Sequence, residues 1–177
     1  LKSVTNPLNQ KIEYLSYSRY GRVGAIKDQN GVITDFEYDA YGRVTARKRR
    51  GTNDTAETDD QITRIEYWPI GQIKKVTQPD GTFTAYAYDS AHRLTGISDN
   101  AGNSMSFTLN AASERVKEEI KDASGVLQYQ LSLTYNTLGQ LQTVTDAYAR
   151  NTGFTYDLNS NLDTTTDPLA RVSDNNY

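Results

Sequence analysis

An aromatic residue followed by a polar one recurs at Tyr17, Tyr38, Tyr67, Tyr88, Tyr135, Tyr156 and Tyr177, with Leu109 in the same slot. The successive intervals are 21, 29, 21, 21, 26, 21 and 21 residues, so five of the seven are identical. A fixed period means that one small unit is built repeatedly and that neighbouring units stabilise one another. Four residues after the aromatic stands a turn residue: Gly21, Gly42, Gly71, His92, Ser113, Gly139 or Ser160. A polar and then an aliphatic residue follow, as in Arg22 and Val23, Arg43 and Val44, Arg93 and Leu94, or Gln140 and Leu141. Nine residues after the aromatic come Ile26, Val76, Ile97 and Val144.

A second turn signal lies at Asp28–Gly31, Pro79–Gly81, Asp99–Gly102 and Asp122–Gly125, and survives as Asp146–Ala149 and Asp167–Ala170. After it the chain alternates toward the next aromatic, as in Phe36 and Tyr38, Tyr86 and Tyr88, or Phe154 and Tyr156. Two turns per period leave two segments of ordinary strand length, rich in Thr, Tyr, Phe, Ile and Val. Each unit is therefore a β-hairpin, and the fold is all-β and repetitive. In the first segment of each hairpin the aliphatics (Val23 and Ile26, Leu94 and Ile97) are three apart, which strict alternation would send to opposite faces. Either a bulge or burial on both faces reconciles this.

Two units are long. Between Tyr38 and Tyr67 lie Arg47, Lys48, Arg49 and Arg50, then Gly51 and the acids Asp54, Glu57, Asp59 and Asp60. With no aromatics interleaved in the basic run, an extended hairpin tip with offsetting charged arms is preferred over a nucleic-acid patch. Over Glu114–Lys121, Val116 and Ile120 permit a helical turn, but Val116, Glu118 and Ile120 also alternate, and a longer hairpin is the simpler account. The chain is expected to form one repetitive domain over 1–177 of about seven units, with longer hairpins near 45–62 and 114–130.

Leu, Ile, Val and Phe together make 35 of 177 residues, about 20%, while Tyr supplies 13 of the 18 aromatics. That aliphatic content borders on the disordered range, but the net charge of −3 is too small to complete the signature. Mild acidity gives no footprint for nucleic acid, and no apolar run is long enough to span a bilayer as a helix. The absence of Cys removes disulfides and thiolate metal sites. Opening on Leu1, Lys2 and Ser3, without Met or a signal peptide, suggests a piece of something longer.

Candidate chemistry is thin. Asp157, Asn159, Asn161 and Asp163 resemble the start of a Ca²⁺ loop, but Leu162 stands where that loop needs Gly and Pro168 where it needs Glu. The same residues occupy the repeat's turn slots. Asp39, Asp89 and Asp157 could be imagined as catalytic acids, yet their recurrence points to hydrogen-bonding a turn. His92, the only His, holds a slot that Gly fills elsewhere, and a turn variant explains it better than a catalytic triad. Trp68, beside Tyr67, could stack on a sugar or anchor packing. No catalytic, cofactor or metal site is assigned.

The segments Tyr38–Val44, Tyr88–Leu94 and Tyr135–Leu141 closely resemble the YD repeat, also called the Rhs repeat. The resemblance covers essentially the whole chain, with Leu109–Arg115 and Trp68–Pro69 as departures. Its repeat-defining structural positions here are Tyr17, Tyr38, Asp39, Gly42, Arg43, Tyr67, Gly71, Tyr88, Asp89, Arg93, Tyr135, Gly139, Tyr156 and Asp157. The resemblance implies a continuous curved or spiral β-sheet, a stretch of the hollow shell by which Rhs and toxin-complex proteins enclose a C-terminal toxin. Implied partners are the rest of that shell, the enclosed toxin and secretion machinery, frequently type VI, with the parent secreted or at the cell surface. Two other functions compete: a carbohydrate- or cell-surface-binding module using the Tyr-rich surface, and an enzyme built around His92. A β-propeller is the rival architecture, ranked below the open sheet because the 21-residue unit is complete in itself.

Overall fold

The computed structural model describes residues 1–52 and 57–175, so Asp54 and the last aromatic slot, Tyr177, lie outside it. The strands are β1 (Ser3–Thr5), β2 (Lys11–Tyr17), β3 (Val23–Lys27), β4 (Ile33–Tyr38), β5 (Val44–Arg49), β6 (Gln61–Tyr67), β7 (Ile73–Thr77) and β8 (Phe83–Tyr88). They continue as β9 (Leu94–Asp99), β10 (Ser104–Leu109), β11 (Arg115–Lys121), β12 (Leu127–Tyr135), β13 (Leu141–Asp146), β14 (Asn151–Tyr156), β15 (Leu162–Thr166) and β16 (Val172–Asp174). One 3-10 turn, Glu57–Asp59, precedes β6. Strand order in the sheet is the sequence order throughout, as a succession of hairpins requires. The chain divides into two compact units, Leu1–Ala85 and Tyr86–Tyr177. Within Glu114–Lys121, Arg115–Lys121 is extended and pairs on both sides, Phe107 with Glu118 and Glu118 with Leu131, which settles it as hairpin rather than helix.

A recurrent bulge resolves the three-residue spacing of the aliphatics. Tyr38 pairs with Val44 but Glu37 with Ala46, so Thr45 is an extra residue. The same shift inserts Gly24, Lys74, Gln142 and Asp163 in the equivalent places. One extra residue makes a spacing of three behave as two, which returns Val23 and Ile26, or Leu141 and Val144, to the face that carries the Tyr rings.

Fourteen strand connections among the described residues are one and the same turn. The first residue's N–H donates to the carbonyl of the fifth, and the fourth residue's N–H donates back to the first, as in Asp39 with Arg43 and Gly42 with Asp39, both at 3.0 Å. The fourth residue always has positive φ; this is the three-residue hairpin loop whose left-handed residue makes a G1 bulge. Eight of these residues are Gly, and the rest are Asn9, His92, Ser113, Ala149, Ser160 and Ala170. Each of the six non-glycine turns carries a clasp between the side chains of its first and fifth residues: Asn6–Gln10, Asp89–Arg93, Asn110–Glu114, Asp146–Arg150, Asp157–Asn161 and Asp167–Arg171. Where Val occupies the fifth position and offers no clasp, in Asp28–Val32 and Asp122–Val126, the fourth residue is Gly.

Burial is shallow. Only Ala25 (4% exposed), Ala46 (1%), Phe107 (8%) and Thr34 (6%) are buried among the described residues. Ala25 and Ala46 occupy corresponding slots, each directly after the extra residue of a bulge.

The clasp rule has a measurable consequence. In urea unfolding, Ala149→Gly is expected to raise stability by about 0.5–1 kcal/mol, because alanine is strained at φ 59°. Arg150→Ala is expected to lower the midpoint, and by less once residue 149 is Gly.

Candidate functional site

The repeat-defining side chains act within the sheet, and each is engaged by a specific local need. The carboxylate of Asp39 accepts the N–H groups of Tyr41 (2.9 Å) and Arg43 (3.0 Å) with one oxygen and the Arg43 Nε (2.6 Å) with the other. Asp89 does the same with Ala91, Arg93 and the Arg93 guanidinium, and Asp157 with Asn159, Asn161 and the Asn161 side chain. These are Asx turns, in which a short acidic side chain replaces the water that the turn's amides lose. Gly42, Gly71 and Gly139 supply the positive φ of the fourth position.

Arg43 and Arg93 link each turn to the next one along the same edge. Arg43 Nη1 reaches the Trp68 carbonyl (3.3 Å), and its guanidinium lies 4.4 Å from the Tyr67 ring centre. Arg93 Nη1 donates to the Asn110 carbonyl (2.8 Å) and the Ser113 hydroxyl (3.1 Å). Arg22, in the corresponding place, lies over Gly42 so closely that a Cβ there would collide with its Nη2.

The tyrosines close the gaps the bulges open. The β3–β4 ladder runs from Lys27 and Ile33 to Ala25 and Asp35; beyond it the Tyr38 hydroxyl donates to the Val23 carbonyl at 2.8 Å. Tyr67 reaches Val44, Tyr135 reaches Arg115 and Tyr156 reaches Leu141, each at 2.9 Å, and Tyr17 donates to the Leu1 carbonyl. The accepting carbonyl of Val23, Val44 or Leu141 belongs to the residue directly before the bulge's extra residue. Tyr88 occupies the same slot at the end of β8. Leu109, which has no hydroxyl, ends a strand whose Phe107 is instead covered by the Arg115 guanidinium at 4.1 Å.

Folding holds several of these carboxylates below the ordinary aspartate value of 3.8. For Asp89 the main cause is the Arg93 backbone N–H, followed by its guanidinium; for Asp146 it is the Arg150 guanidinium; for Asp157 the Asn161 side chain; for Asp167 the Arg171 backbone N–H.

The other candidates are placed as follows. His92 is the left-handed residue of the Asp89–Arg93 turn, φ 65°. Trp68 begins its own turn, is 39% exposed, and has Lys74 Nζ 5.1 Å from its ring centre. Two members of the basic run are paired with acids: Arg50 makes two bonds to Asp35 (2.7 and 2.8 Å), and Lys48 lies 3.7 Å from Asp60 on the opposite arm. No group of three or more metal-ligating side chains converges among the described residues. The sequence reading missed the arginine bridges between turns, although Arg22, Arg43 and Arg93 recur in one slot.

Residues 67–104 match the family model described as RHS Repeat. Double-stranded DNA deaminase toxin A of Burkholderia cenocepacia (strain H111) is 28% identical over 154 residues, 87% of this chain and 10% of that protein. Among solved structures, the crystal structure of TcdB2-TccC3-Cdc42 matches with a TM-score of 0.72 at 16% identity, covering 95% of this chain and 9% of that one. The Photorhabdus luminescens Tc holotoxin pore matches with a TM-score of 0.53 at 16% identity, covering 93% of this chain and 12% of that one. The chain thus spans about a tenth of the length of these relatives.

Two measurements test the site. Leu109→Tyr is expected to place a hydroxyl at the Leu94 carbonyl and to stabilise the chain by about 0.5–1.5 kcal/mol in chemical unfolding; no gain would refute the role given to the tyrosines. Lowered carboxylate values make stability complete above pH 3.8 and lost as pH falls below it. The thermal midpoint should therefore drop below that pH, and less steeply in Asp89→Asn.

The antiparallel sheet is similar in fold to a stretch of the TcdB2-TccC3 structures, and residues 67–104 match the RHS repeat.

Proposed function

We propose that this chain is a non-catalytic stretch of wall in a β-shell that encloses a C-terminal toxin and delivers it to another cell. The carrying observation is that the polar side chains conserved in slot from unit to unit are consumed by the sheet itself. Asp39, Asp89 and Asp157 fill their turns, Arg43 and Arg93 bridge to the next turn, and Tyr38, Tyr67 and Tyr156 close ladder gaps. A group so engaged cannot also shuttle protons or attack a substrate without breaking the turn. A single-layer sheet with few buried side chains among the described residues divides space between two faces, which is the task of a wall.

In this reading 1–177 is one repetitive domain, and its partners are the remaining shell and the enclosed domain. The parent is secreted or surface-exposed, by type VI machinery or a related route. The names of relatives support the reading: one is a deaminase toxin and another a Tc holotoxin pore.

The test is limited proteolysis of the full-length parent. The domain downstream of the repeats should resist digestion while the wall is intact. It should become cleavable when Tyr38, Tyr67 and Tyr156 are together changed to Phe, which removes the hydroxyls and keeps the rings. Equal digestion in both proteins would refute enclosure. Saturable glycan binding by the chain, abolished by Trp68→Ala, would establish the binding-module reading instead.

A further inference from the structure

Asn30 and Gly31 form the one Asn–Gly pair in the sequence, and they stand exposed at the tip of the Asp28–Val32 turn. A backbone nitrogen can attack the carboxamide of the asparagine before it, and glycine leaves its nitrogen least covered because it has no Cβ. The nearest atom to a Cβ built on Gly31 is Lys27 Cε, at 3.8 Å, so the approach is open. The Asn30 carboxamide makes no hydrogen bond among the described residues, whereas those of Asn103, Asn110, Asn136 and Asn161 are tied to the first or fifth residue of their own turns.

We propose that Asn30 is a site of spontaneous deamidation, with water as the co-reactant, and that opening of the Asp28–Val32 turn sets its rate. The Gly31 nitrogen gives up its proton to hydroxide and bonds to the Asn30 Cγ. The bond from Cγ to the side-chain nitrogen breaks, and that nitrogen leaves as ammonia. Water then opens the five-membered imide at one carbonyl or the other, leaving either Asp or isoaspartate, in which the main chain runs through the former side chain.

The closed turn is the brake. Its Gly31 N–H donates to the Asp28 carbonyl at 3.0 Å, and the Asp28 carboxylate holds the N–H groups of Asn30 (2.8 Å) and Val32 (2.9 Å). The nitrogen reaches the carboxamide only once these bonds part. Val32 in the fifth position supplies no clasp, so the turn lacks the restraint that Arg43 gives the Asp39 turn. Asp80–Gly81 is the comparable pair, but Thr82 binds the Asp80 carboxylate through its hydroxyl (2.7 Å) and its N–H (2.9 Å) and keeps it ionised, a poor target for a nucleophile. Isoaspartate at 30 would add a carbon to the main chain inside a three-residue loop. That loop closes the ladder pairing Ala25 with Asp35 and Ile26 with Thr34, and Ala25 and Thr34 are two of the four buried residues.

Incubating the 177-residue chain in mildly alkaline buffer tests this, with mass spectrometry of the tryptic peptide Asp28–Arg43 and isoaspartyl methyltransferase labelling as readouts. Asn30 is expected to convert ahead of Asn159, which holds the same position in a clasped turn before Ser160. Asp28→Ala, which removes two hydrogen bonds from the closed turn, should speed the reaction about fivefold or more. Val32→Arg, which installs a clasp, should slow it about two- to fivefold. Circular dichroism checks that each variant keeps its sheet, and if Asp28→Ala does not, Val32→Arg decides. An Asn30 still intact when Asn159 has converted, or a rate indifferent to the clasp, would overturn the proposal. The reaction needs no enclosed domain, so it stands or falls apart from the wall reading.

Discussion

A single side-chain oxygen accepting two backbone N–H groups is what eleven of the fourteen described turns depend on. The first residue of a turn (Asn6, Ser18, Asp28, Asp39, Asp89, Asp99, Asp122, Asn136, Asp146, Asp157 or Asp167) turns its side chain onto the N–H groups of the third and fifth residues. Both groups face inward in a tight loop and would otherwise depend on water. Satisfying them locally fixes the register of the two flanking strands before any long-range packing exists. With so little buried at the centre, the order of the sheet comes from these repeated local decisions.

The turn also explains which substitutions the repeat tolerates. A left-handed residue other than Gly costs about 1–2 kcal/mol, and every such residue here sits in a turn whose first and fifth side chains are joined. His92 is an instance: its strain is opposed by the Asp89–Arg93 clasp, with Nε to Oδ2 at 2.8 Å. Read alone, a lone His between Ala91 and Arg93 invites a catalytic interpretation. Read in its slot, it is a glycine substitute held in place by its neighbours.

Much of this was legible in the sequence because the physics is local. The hairpin period, the turn role of Asp39, Asp89 and Asp157, and the extended state of Arg115–Lys121 follow from spacing and residue type. The bulge was visible only as an inconsistency between Val23 and Ile26, since two remedies fit the same spacing and the pairing register alone distinguishes them. The arginine bridges were not legible. Arg43 reaches Trp68, 25 residues on, and Arg93 reaches Asn110, 17 residues on, and such contacts exist only once neighbouring hairpins have stacked.

The bulge and the tyrosine are best understood together. A bulge frees a backbone carbonyl where the ladder to the preceding strand stops, and an unpaired carbonyl in a half-buried sheet is costly. Tyr brings a hydroxyl across that gap while its ring covers the aliphatics beside it, a combination that neither Phe nor Leu offers. This accounts for Tyr at the strand-ending slots Tyr17, Tyr38, Tyr67, Tyr135 and Tyr156 in a chain with few aliphatics. In a solid core, Leu would serve as well and the hydroxyl would be a burden. In a single layer with water on both sides, the ring replaces part of a missing core and the hydroxyl repairs the ladder. Leu109 marks the unit where that repair is absent and a guanidinium covers the neighbouring ring instead.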